Sequence, residues 1–267
     1  MEFIDTTNVN TRYILVYNIR TMKPEISAVI LAGGLGSRMG TLTTENHKSL
    51  LEVDGKPILH WILDGLQSEF GSARAIIATG YQGEKVRQAF GTNHGNIQIE
   101  YVHNPDHLGI RKRLLLTQGM LQGPFFVIGS DVLAHPSQYS NMVRTFEAHF
   151  KSNGVISGAI DLEPAPTHAL IYIEGHRVVE IQTHPPFDYK RPFALRDMSL
   201  WFFHQKTMHL LKNAPDKESD ISPILNEAIK NGAEYLIEQY YDNWYHFGHP
   251  EDLHAHLGFR DKRYGGK

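Results

Sequence analysis

Cysteine is absent from this chain of 267 residues. Its absence excludes disulfide bonds, zinc sites built on thiolates and catalysis by a cysteine nucleophile. A chain without cysteine suits a reducing compartment, and we therefore expect a cytoplasmic protein.

Long apolar runs and a strong charge imbalance are also missing. No uninterrupted apolar stretch reaches the roughly 20 residues that a membrane-spanning helix needs, so we expect no membrane partner. The net charge of −3 argues against broad, charge-driven binding to nucleic acid, although it does not exclude a local cationic pocket. Residues 1–25 lack the pattern of a signal peptide, and we interpret them as an N-terminal extension.

Three glycines lie close together in one turn near the start of the chain. The segment Leu31–Arg38, LAGGLGSR, follows directly on the apolar run Ile26–Ile30. An apolar run that opens into glycines predicts a buried strand and a loop at the carboxyl edge of a sheet. The backbone N–H groups of such a loop can lie close against phosphate, and the guanidinium of Arg38 matches phosphate oxygens. The turn therefore predicts a phosphate-binding loop.

The spacing of this turn excludes two familiar phosphate loops. A Walker loop ends in Gly-Lys-Ser or Gly-Lys-Thr, whereas Arg38-Met39-Gly40 stands here. A dinucleotide-binding turn leads directly into a helix, whereas this loop continues to Lys48 and helical spacing begins only after Pro57.

Strands and helices alternate along the first half of the chain. Strand-like segments at Ala73–Thr79, Ile97–Val102 and Pro124–Gly129 are separated by segments with helical spacing. This alternation predicts an α/β fold with a mostly parallel central sheet covered by helices on both faces. We interpret residues 26–258 as one domain, with a nucleotide-binding half (26–135) and an acceptor-binding half (136–258), followed by a tail (259–267).

The motifs taken together resemble the sugar-1-phosphate nucleotidylyltransferases, or NDP-sugar pyrophosphorylases. The resemblance covers essentially all of residues 26–258 and rests on segments that occur in the family's order: Ala32–Arg38, Lys48–Leu51, Gly55–Pro57, Gly80–Tyr81, Val127–Leu133, Glu218–Leu225 and Gly248–Leu253. It implies a three-layer α/β/α sandwich of the NDP-sugar transferase (glycosyltransferase-A-like) fold. It also implies transfer of an NMP unit from an NTP to a phosphorylated acceptor, with release of pyrophosphate.

The resemblance also implies roles for individual residues. Arg38 and Lys48 correspond to the family's phosphate-binding cations and Asp131 to its first magnesium ligand, and we expect these three to carry catalysis. Mg²⁺ is the expected cofactor, because it binds through one or two carboxylates and substrate phosphates. The residues expected to surround the nucleotide are Leu31, Ala32, Gly33, Gly34, Gly36, Arg38, Lys48 and Gly109.

Two departures from the family pattern concern the metal and the acceptor. His246 stands where the family has its second metal ligand, an aspartate, and imidazole suits zinc, manganese or another transition metal better than Mg²⁺. Either the metal differs, or Asp131 and phosphate hold it, or catalysis is weak. His184 replaces a lysine that meets the acceptor phosphate, and Asp197 lies in the strand that reads the sugar, so both are candidate acceptor-binding residues.

A third departure is the basic run Arg111–Arg113, which follows Gly109 and precedes a predicted helix at Leu114–Leu121. Family members keep small or neutral residues at this place. We interpret the run as a solvated basic patch, and a site for a ligand or a regulatory anion is the alternative.

These observations favour a magnesium-dependent nucleotidyltransferase that acts on a sugar 1-phosphate. Two alternatives stay open. The acceptor could be phosphocholine or a similar phosphorylated alcohol, because His184 and Asp197 depart from the family. The chain could also be a regulatory protein that binds a nucleotide or an NDP-sugar without turnover. The expected partners are an NTP and a small phosphorylated acceptor, and homo-oligomer formation is left open.

Overall fold

A computed structural model describes residues 25–106, 108–160, 169–183, 194–216 and 218–254. His184, the tail and nearly all of the extension lie outside the described residues. The strands are β1 (Ser27–Ala32), β2 (Glu52–Val53), β3 (Lys56–Pro57), β4 (Ala73–Thr79), β5 (Asn93–His94), β6 (Ile97–His103), β7 (Phe125–Gly129), β8 (Val132–Leu133), β9 (Gly154–Ile160), β10 (Leu170–Glu174), β11 (Arg177–Gln182), β12 (Ala194–Phe203), β13 (Tyr235–Tyr240) and β14 (Tyr245–His246).

The helices alternate with these strands. They are α1 (Leu42–Glu45), α2 (Ile58–Phe70), α3 (Gly83–Phe90), α4 (Ile110–Leu115), α5 (Ser137–Ala148), α6 (Gln205–Asn213) and α7 (Ser222–Lys230), with short 3₁₀ turns at Ser37–Met39, Lys48–Leu50, Gln118–Met120 and Pro250–His254. Within the described part of the chain, no helix combines the length and apolarity needed to cross a membrane.

One sheet of ten strands forms the centre of the fold, in the order β10-β11-β13-β9-β12-β7-β1-β4-β6-β5. Strands β7, β1, β4 and β6 are neighbours and run parallel, as the alternation in the first half predicts. In the second half, β12 pairs antiparallel with β7, β9 and β10. The expected α/β fold is thus confirmed, with its parallel pairing concentrated in the first half of the chain.

Helices cover both faces of the sheet and complete the three layers. Alternate residues of β1 explain this: Ala28 and Ile30 pack into a core shared with α2 and α5, whereas Val29 packs into a core shared with α4, α6 and α7. Helix α2 supplies much of the first core through six buried side chains, Ile58, Leu59, Trp61, Ile62, Leu63 and Leu66. Each fully buried aliphatic side chain of this kind stabilises the fold by roughly 1.5–3 kcal/mol relative to exposure.

The position of β1 determines where a ligand can bind. The chain passes from β1 to β4 and β6 on one side and then returns to β7 on the other side of β1. This reversal opens a crevice at the carboxyl ends of β1 and β7, and open α/β sheets bind ligands in such crevices. The glycine turn follows β1, and Ser130 and Asp131 follow β7.

The basic run does not form a solvated patch, so that interpretation is wrong for two of its three residues. Arg111 is 2% exposed, and its guanidinium donates to four backbone carbonyls, those of Leu211, Ala214, Pro215 and Glu218, at 2.6–3.2 Å. It thereby satisfies carbonyls at and beyond the end of α6, where intrahelical donors run out. Arg113 is 3% exposed, and only Lys112 points to solvent.

The helix predicted at Leu114–Leu121 is also displaced and shortened. It begins at Ile110 and ends at Leu115, and a 3₁₀ turn at Gln118–Met120 follows. The hydroxyl of Thr117 donates to the carbonyl of Leu114 and so takes up an acceptor near the end of the helix.

We expect Arg111→Ala to lower the free energy of unfolding by about 2–4 kcal/mol, because the packing of a buried side chain and its hydrogen bonds to four backbone carbonyls would be lost. Thermal unfolding of the variant, compared with the neighbouring Lys112→Ala, measures this. Lys112→Ala should change stability by less than about 0.5 kcal/mol because its side chain is exposed. Equal effects of the two substitutions would contradict the role assigned to Arg111.

Candidate active site

The glycine turn is shaped by backbone conformation and by close packing. Gly36 has φ +66°, in the left-handed region that favours glycine, and a Cβ there would come within 2.8 Å of the Thr43 side chain. A Cβ on Gly33 would overlap the Arg113 guanidinium. Gly34 is exposed and faces open space. The turn therefore presents bare backbone to the crevice.

His47 fastens the segment that carries Lys48 to the end of β1. Its ring is 2% exposed, Nε2 donates to the carbonyl of Ala32 at 2.9 Å, and Nδ1 accepts from the backbone N–H of Ser49. Burial lowers the pKa of His47, so the ring is neutral and keeps one donor and one acceptor. Sequence reasoning missed this residue, although its position just before Lys48 was a signal for it.

Lys48 and Asp131 meet across the crevice between β1 and β7. The Lys48 Nζ lies 2.5 Å from Oδ2 of Asp131, and Nε2 of His246 lies 3.6 Å from the same oxygen. Burial by itself would raise the pKa of Asp131, but the nearby His246 side chain and the charge of Lys48 outweigh it and hold the pKa well below its usual range. Asp131 is therefore ionised at neutral pH.

The proton on His246 can be assigned from its neighbours. A guanidinium has no acceptor, so the contact of 3.3 Å between Arg196 Nη2 and His246 Nδ1 is a hydrogen bond that Nδ1 accepts. In the neutral ring the proton then sits on Nε2, which faces Asp131. This arrangement turns the Nε2–H of His246 toward Oδ2 of Asp131, which lies 3.6 Å away. It leaves no lone pair on Nε2 for a metal unless the contact with Arg196 breaks.

Asp131 fits a hard divalent cation better than His246 does. Lys48 and His246 both contact Oδ2 of Asp131, and no described residue donates a hydrogen bond to Oδ1. A single free carboxylate oxygen beside the glycine turn is a donor that Mg²⁺ accepts, because Mg²⁺ binds through one or two carboxylates together with phosphate and water. The two expected metal residues are thus close together, but they are chemically unequal.

Two cavities meet at Arg38. The smaller, about 210 Å³, is lined by the glycine turn, Lys48 and Asp131. The larger, about 440 Å³, is lined mainly by polar and charged side chains of β12 and of the segment after β13, among them Arg196, Asp197, His246 and His249. Arg38 lines both cavities. The expected phosphate cations and the expected acceptor residue Asp197 therefore lie around two cavities that share Arg38.

Asp197 lies at a bulge in β12 and lines the larger cavity. The register with β9 shifts between Asp197 and Trp201, and Ser199 has φ +52°. Oδ1 of Asp197 accepts from the backbone N–H of Ser199 at 2.8 Å and from Nε1 of Trp201 at 3.0 Å. Burial nevertheless raises the pKa of Asp197 to about 7, with a contribution from the charge of Asp220.

The side of the crevice beyond β4 and β6 is closed by Arg113. Its Nη1 donates to the carbonyl of Thr79 at 2.6 Å and its Nη2 to that of Asp106 at 3.1 Å. The flat guanidinium lies against Gly33, and a Cβ on Gly80 would come 2.7 Å from the carbonyl of Gly33. Arg113 thus joins the segments that follow three parallel strands. Arg113 was interpreted from the sequence as solvent-exposed because its side chain is charged. No neighbouring residue in the sequence indicated its contacts with these segments.

The remaining expected nucleotide residues occupy the same edge of the sheet. Leu31 lines the smaller cavity. The carbonyl of Ala32 is taken by His47. Gly109 packs against Ser219, where a Cβ would overlap its backbone, and it lines a third space of about 420 Å³ that also includes Arg38 and Asp197. Their contacts with a nucleotide stay a prediction, as does the role of His184, which lies outside the described residues.

Comparison with solved structures supports the architecture. A UDP-glucose pyrophosphorylase complexed with UDP-glucose superposes with a TM-score of 0.74 at 18% identity, over 86% of this chain and 96% of that one. An inositol-1-phosphate CTP transferase from T. maritima superposes with a TM-score of 0.68 at 19% identity, over 90% and 94%. At these identities the likeness shows the fold, which is that of the NDP-sugar transferases.

Comparison of sequences extends the likeness to the family. The UTP–glucose-1-phosphate uridylyltransferase of Haloferax volcanii is 25% identical over 232 residues, which cover 85% of this chain and 93% of that protein. The mannose-1-phosphate guanylyltransferase catalytic subunit beta of Drosophila pseudoobscura pseudoobscura is 24% identical over 234 residues, covering 85% and 60%. The family described as nucleotidyl transferase matches residues 27–261. The resemblance to the sugar-1-phosphate nucleotidylyltransferases is thereby confirmed, and the chain belongs to the nucleotidyl transferase family.

Proposed function

We propose that this protein transfers an NMP unit from an NTP to a sugar 1-phosphate and releases pyrophosphate. The observation that carries the proposal is that Arg38 lines two cavities, one beside the glycine turn and the Lys48–Asp131 pair, the other lined by polar groups of β12. Transfer of a nucleotidyl group from one anion to another needs neighbouring sites for the two anions. It also needs cations between those sites to reduce the repulsion.

The chemistry assigned to this site is a direct displacement. An oxygen of the acceptor phosphate attacks the α-phosphorus, a new P–O bond forms, and the bond from that phosphorus to the bridging oxygen of pyrophosphate breaks. Both reactants are anions, so positioning and electrostatic stabilisation supply most of the acceleration. Arg38 and Lys48 would hold the triphosphate and stabilise the charge that develops on the departing pyrophosphate.

Asp131 would hold the magnesium ion. When bound, the ion would neutralise phosphate charge and reduce the repulsion between the two substrates. His246 would help to keep Asp131 ionised, since its Nε2 faces Oδ2 of Asp131 at 3.6 Å. Lys48 would leave Asp131 for a phosphate oxygen when the nucleotide binds.

The larger cavity supports a sugar phosphate over phosphocholine. Recognition of a quaternary ammonium uses open aromatic faces. Trp244 lines this cavity, but the guanidinium of Arg196 lies 4.8 Å from the centre of its ring and would repel choline. Arg196 and Arg38 suit the acceptor phosphate, and Asp197 with Ser199 suits sugar hydroxyls.

Pyrophosphate release tests the proposal directly. The protein is offered each NTP with a panel of sugar 1-phosphates and with phosphocholine, in Mg²⁺ or Mn²⁺. We expect release with at least one NTP and one sugar 1-phosphate. Arg38→Ala should weaken nucleotide binding and lower kcat by about 10²–10³. Arg144→Ala, an exposed arginine on α5, is the matched control and should leave both unchanged.

Two outcomes would contradict the proposal in different ways. Nucleotide binding without release in any combination would favour the regulatory binding protein. Release with phosphocholine alone would keep the reaction type and overturn the choice of acceptor. Asp131→Ala separates the roles further, since it should reduce turnover more than it weakens nucleotide binding.

Asp197→Asn should alter acceptor use and the pH dependence of stability. The folded-state pKa of Asp197 is raised to about 7 from an ordinary 3.8, so its proton is favoured in the folded state. Stability of the wild type therefore falls as pH rises from about 4 through 7, and the asparagine removes this loss. We expect the variant to gain roughly 2–8 °C in Tm over the wild type between pH 5 and 8.

The same variant tests the acceptor role, since the KM for the acceptor should rise about tenfold while the KM for NTP stays unchanged. A constant difference in Tm across this pH range would contradict the shifted pKa. An unchanged acceptor KM would remove Asp197 from the acceptor site.

Several expectations stay predictions within this proposal. They are the identity of the metal, location in the cytoplasm, the absence of nucleic-acid partners, self-association, and the division into an extension, a domain with two halves and a tail.

A further inference from the structure

A second group of metal-ligating side chains lies away from the crevice. It consists of His60 and Asp64 on α2 and His94 on β5, and none of the three lines the cavities that contain Arg38. One ligand atom from each residue lies within 4.8 Å of the other two. Neither the proposed reaction nor the family motifs use this cluster.

The sequence places two of the ligands on one helix face. His60 and Asp64 are four residues apart on α2, which brings their side chains onto neighbouring turns of the same face. Nε2 of His60 lies 3.7 Å from Oδ1 of Asp64. Nε2 of His94 lies 2.7 Å from the same oxygen. Both imidazoles therefore converge on a single carboxylate oxygen.

The hairpin that carries His94 is held in place by a residue one turn further along α2. Oε1 of Gln67 accepts from the backbone N–H of Asn96 at 2.8 Å. Gly95 has φ +54°, and a Cβ there would overlap the Gln67 side chain. The turn of the hairpin thus seats directly on the helix, and His94 faces Asp64 without any further movement of the backbone.

The second carboxylate oxygen and one side of the cluster are also occupied. Lys56 donates to Oδ2 of Asp64 at 2.7 Å, which fixes the carboxylate with Oδ1 toward the histidines. The ring of Phe90 lies 6.2 Å from that of His60 and 6.4 Å from that of His94. The His60 side chain is 39% exposed, so the open side of the cluster faces solvent.

We propose that His60, Asp64 and His94 bind a borderline divalent transition-metal ion, Zn²⁺ or a close analogue. Two imidazole nitrogens and one carboxylate oxygen suit such an ion and do not suit Mg²⁺. Ligands about 2.0–2.1 Å from a tetrahedral zinc lie roughly 3.3 Å from one another. The separations of 3.7 and 2.7 Å from Oδ1 of Asp64 bracket that value, so side-chain adjustment would complete the site, with water in the fourth position.

The ion would act as a clip at the edge of the sheet. Strand β5 is the last strand of the sheet order, and its pairing is limited to β6. A bound ion would join this hairpin to α2, which belongs to the core. Because the folded state would bind the ion more tightly than the unfolded chain, binding would raise Tm.

Metal titration of the full chain after treatment with a chelator tests the site. Co²⁺ is the probe, since its visible absorption bands report nitrogen and oxygen ligands, and Zn²⁺ is then added in competition. We expect one equivalent of Co²⁺ to bind, Zn²⁺ to displace it, and the metal to raise Tm by several degrees. His94→Gln and Asp64→Asn should each weaken binding at least tenfold.

Three controls assign the bound metal to this cluster. His209→Ala removes an exposed histidine on α6 and should leave binding unchanged. Asp131→Asn should also leave it unchanged, which separates this site from the candidate active site. Lys56→Met removes a nearby positive charge and should strengthen binding, because the ion and the ammonium repel each other.

The test stays valid if a variant is less stable than the wild type, because folding and metal binding are measured separately. Far-ultraviolet circular dichroism checks that His94→Gln folds, and the rise in Tm on adding metal is measured in each folded variant. Absence of stoichiometric binding to the wild type would overturn the proposal. Equal binding by the wild type, His94→Gln and Asp64→Asn would also overturn it, because the metal would then bind elsewhere.

Discussion

The ion pair between Lys48 and Asp131 is the interaction on which the candidate site depends. Its two charges come from opposite sides of the crevice, one from the segment after the glycine turn and one from the end of β7. Each is the kind of group that a nucleotide complex needs, a cation for phosphate and a carboxylate for a metal. The two charges compensate each other in the crevice. An unpaired buried charge there would cost free energy of folding.

The rest of the fold brings these two charges together. Parallel strands β1 and β7 are neighbours, so the segments that follow them leave the sheet at the same edge. Neutral His47 holds the Lys48 segment to the end of β1, and His246, oriented by Arg196, holds Asp131 in its ionised form.

The sequence predicted those parts of the site that depend on local pattern. An apolar run followed by glycines sufficed for β1 and its turn. The order of motifs singled out Lys48 and Asp131, which the fold brings together and whose roles stay predictions. Contacts between distant segments were not predictable in this way. Arg111 was interpreted as solvated because its hydrogen-bond partners lie about 100 positions away in the sequence. Arg113 was interpreted in the same way because the glycines that make room for its side chain lie in other segments. The bulge at Ser199 likewise depends on the pairing of β12 with β9.

Nucleotide affinity with and without Mg²⁺ tests the central claim most directly. The Kd for an NTP is measured for the wild type and for Asp131→Asn, in chelator and in saturating Mg²⁺. In this account, Asp131 restrains Lys48 until a metal ion replaces Lys48 at the carboxylate. The variant should therefore bind the NTP more tightly than the wild type in chelator, and Mg²⁺ should raise its affinity little. Mg²⁺ should raise the affinity of the wild type at least tenfold. An equal gain from Mg²⁺ in both proteins would contradict the account.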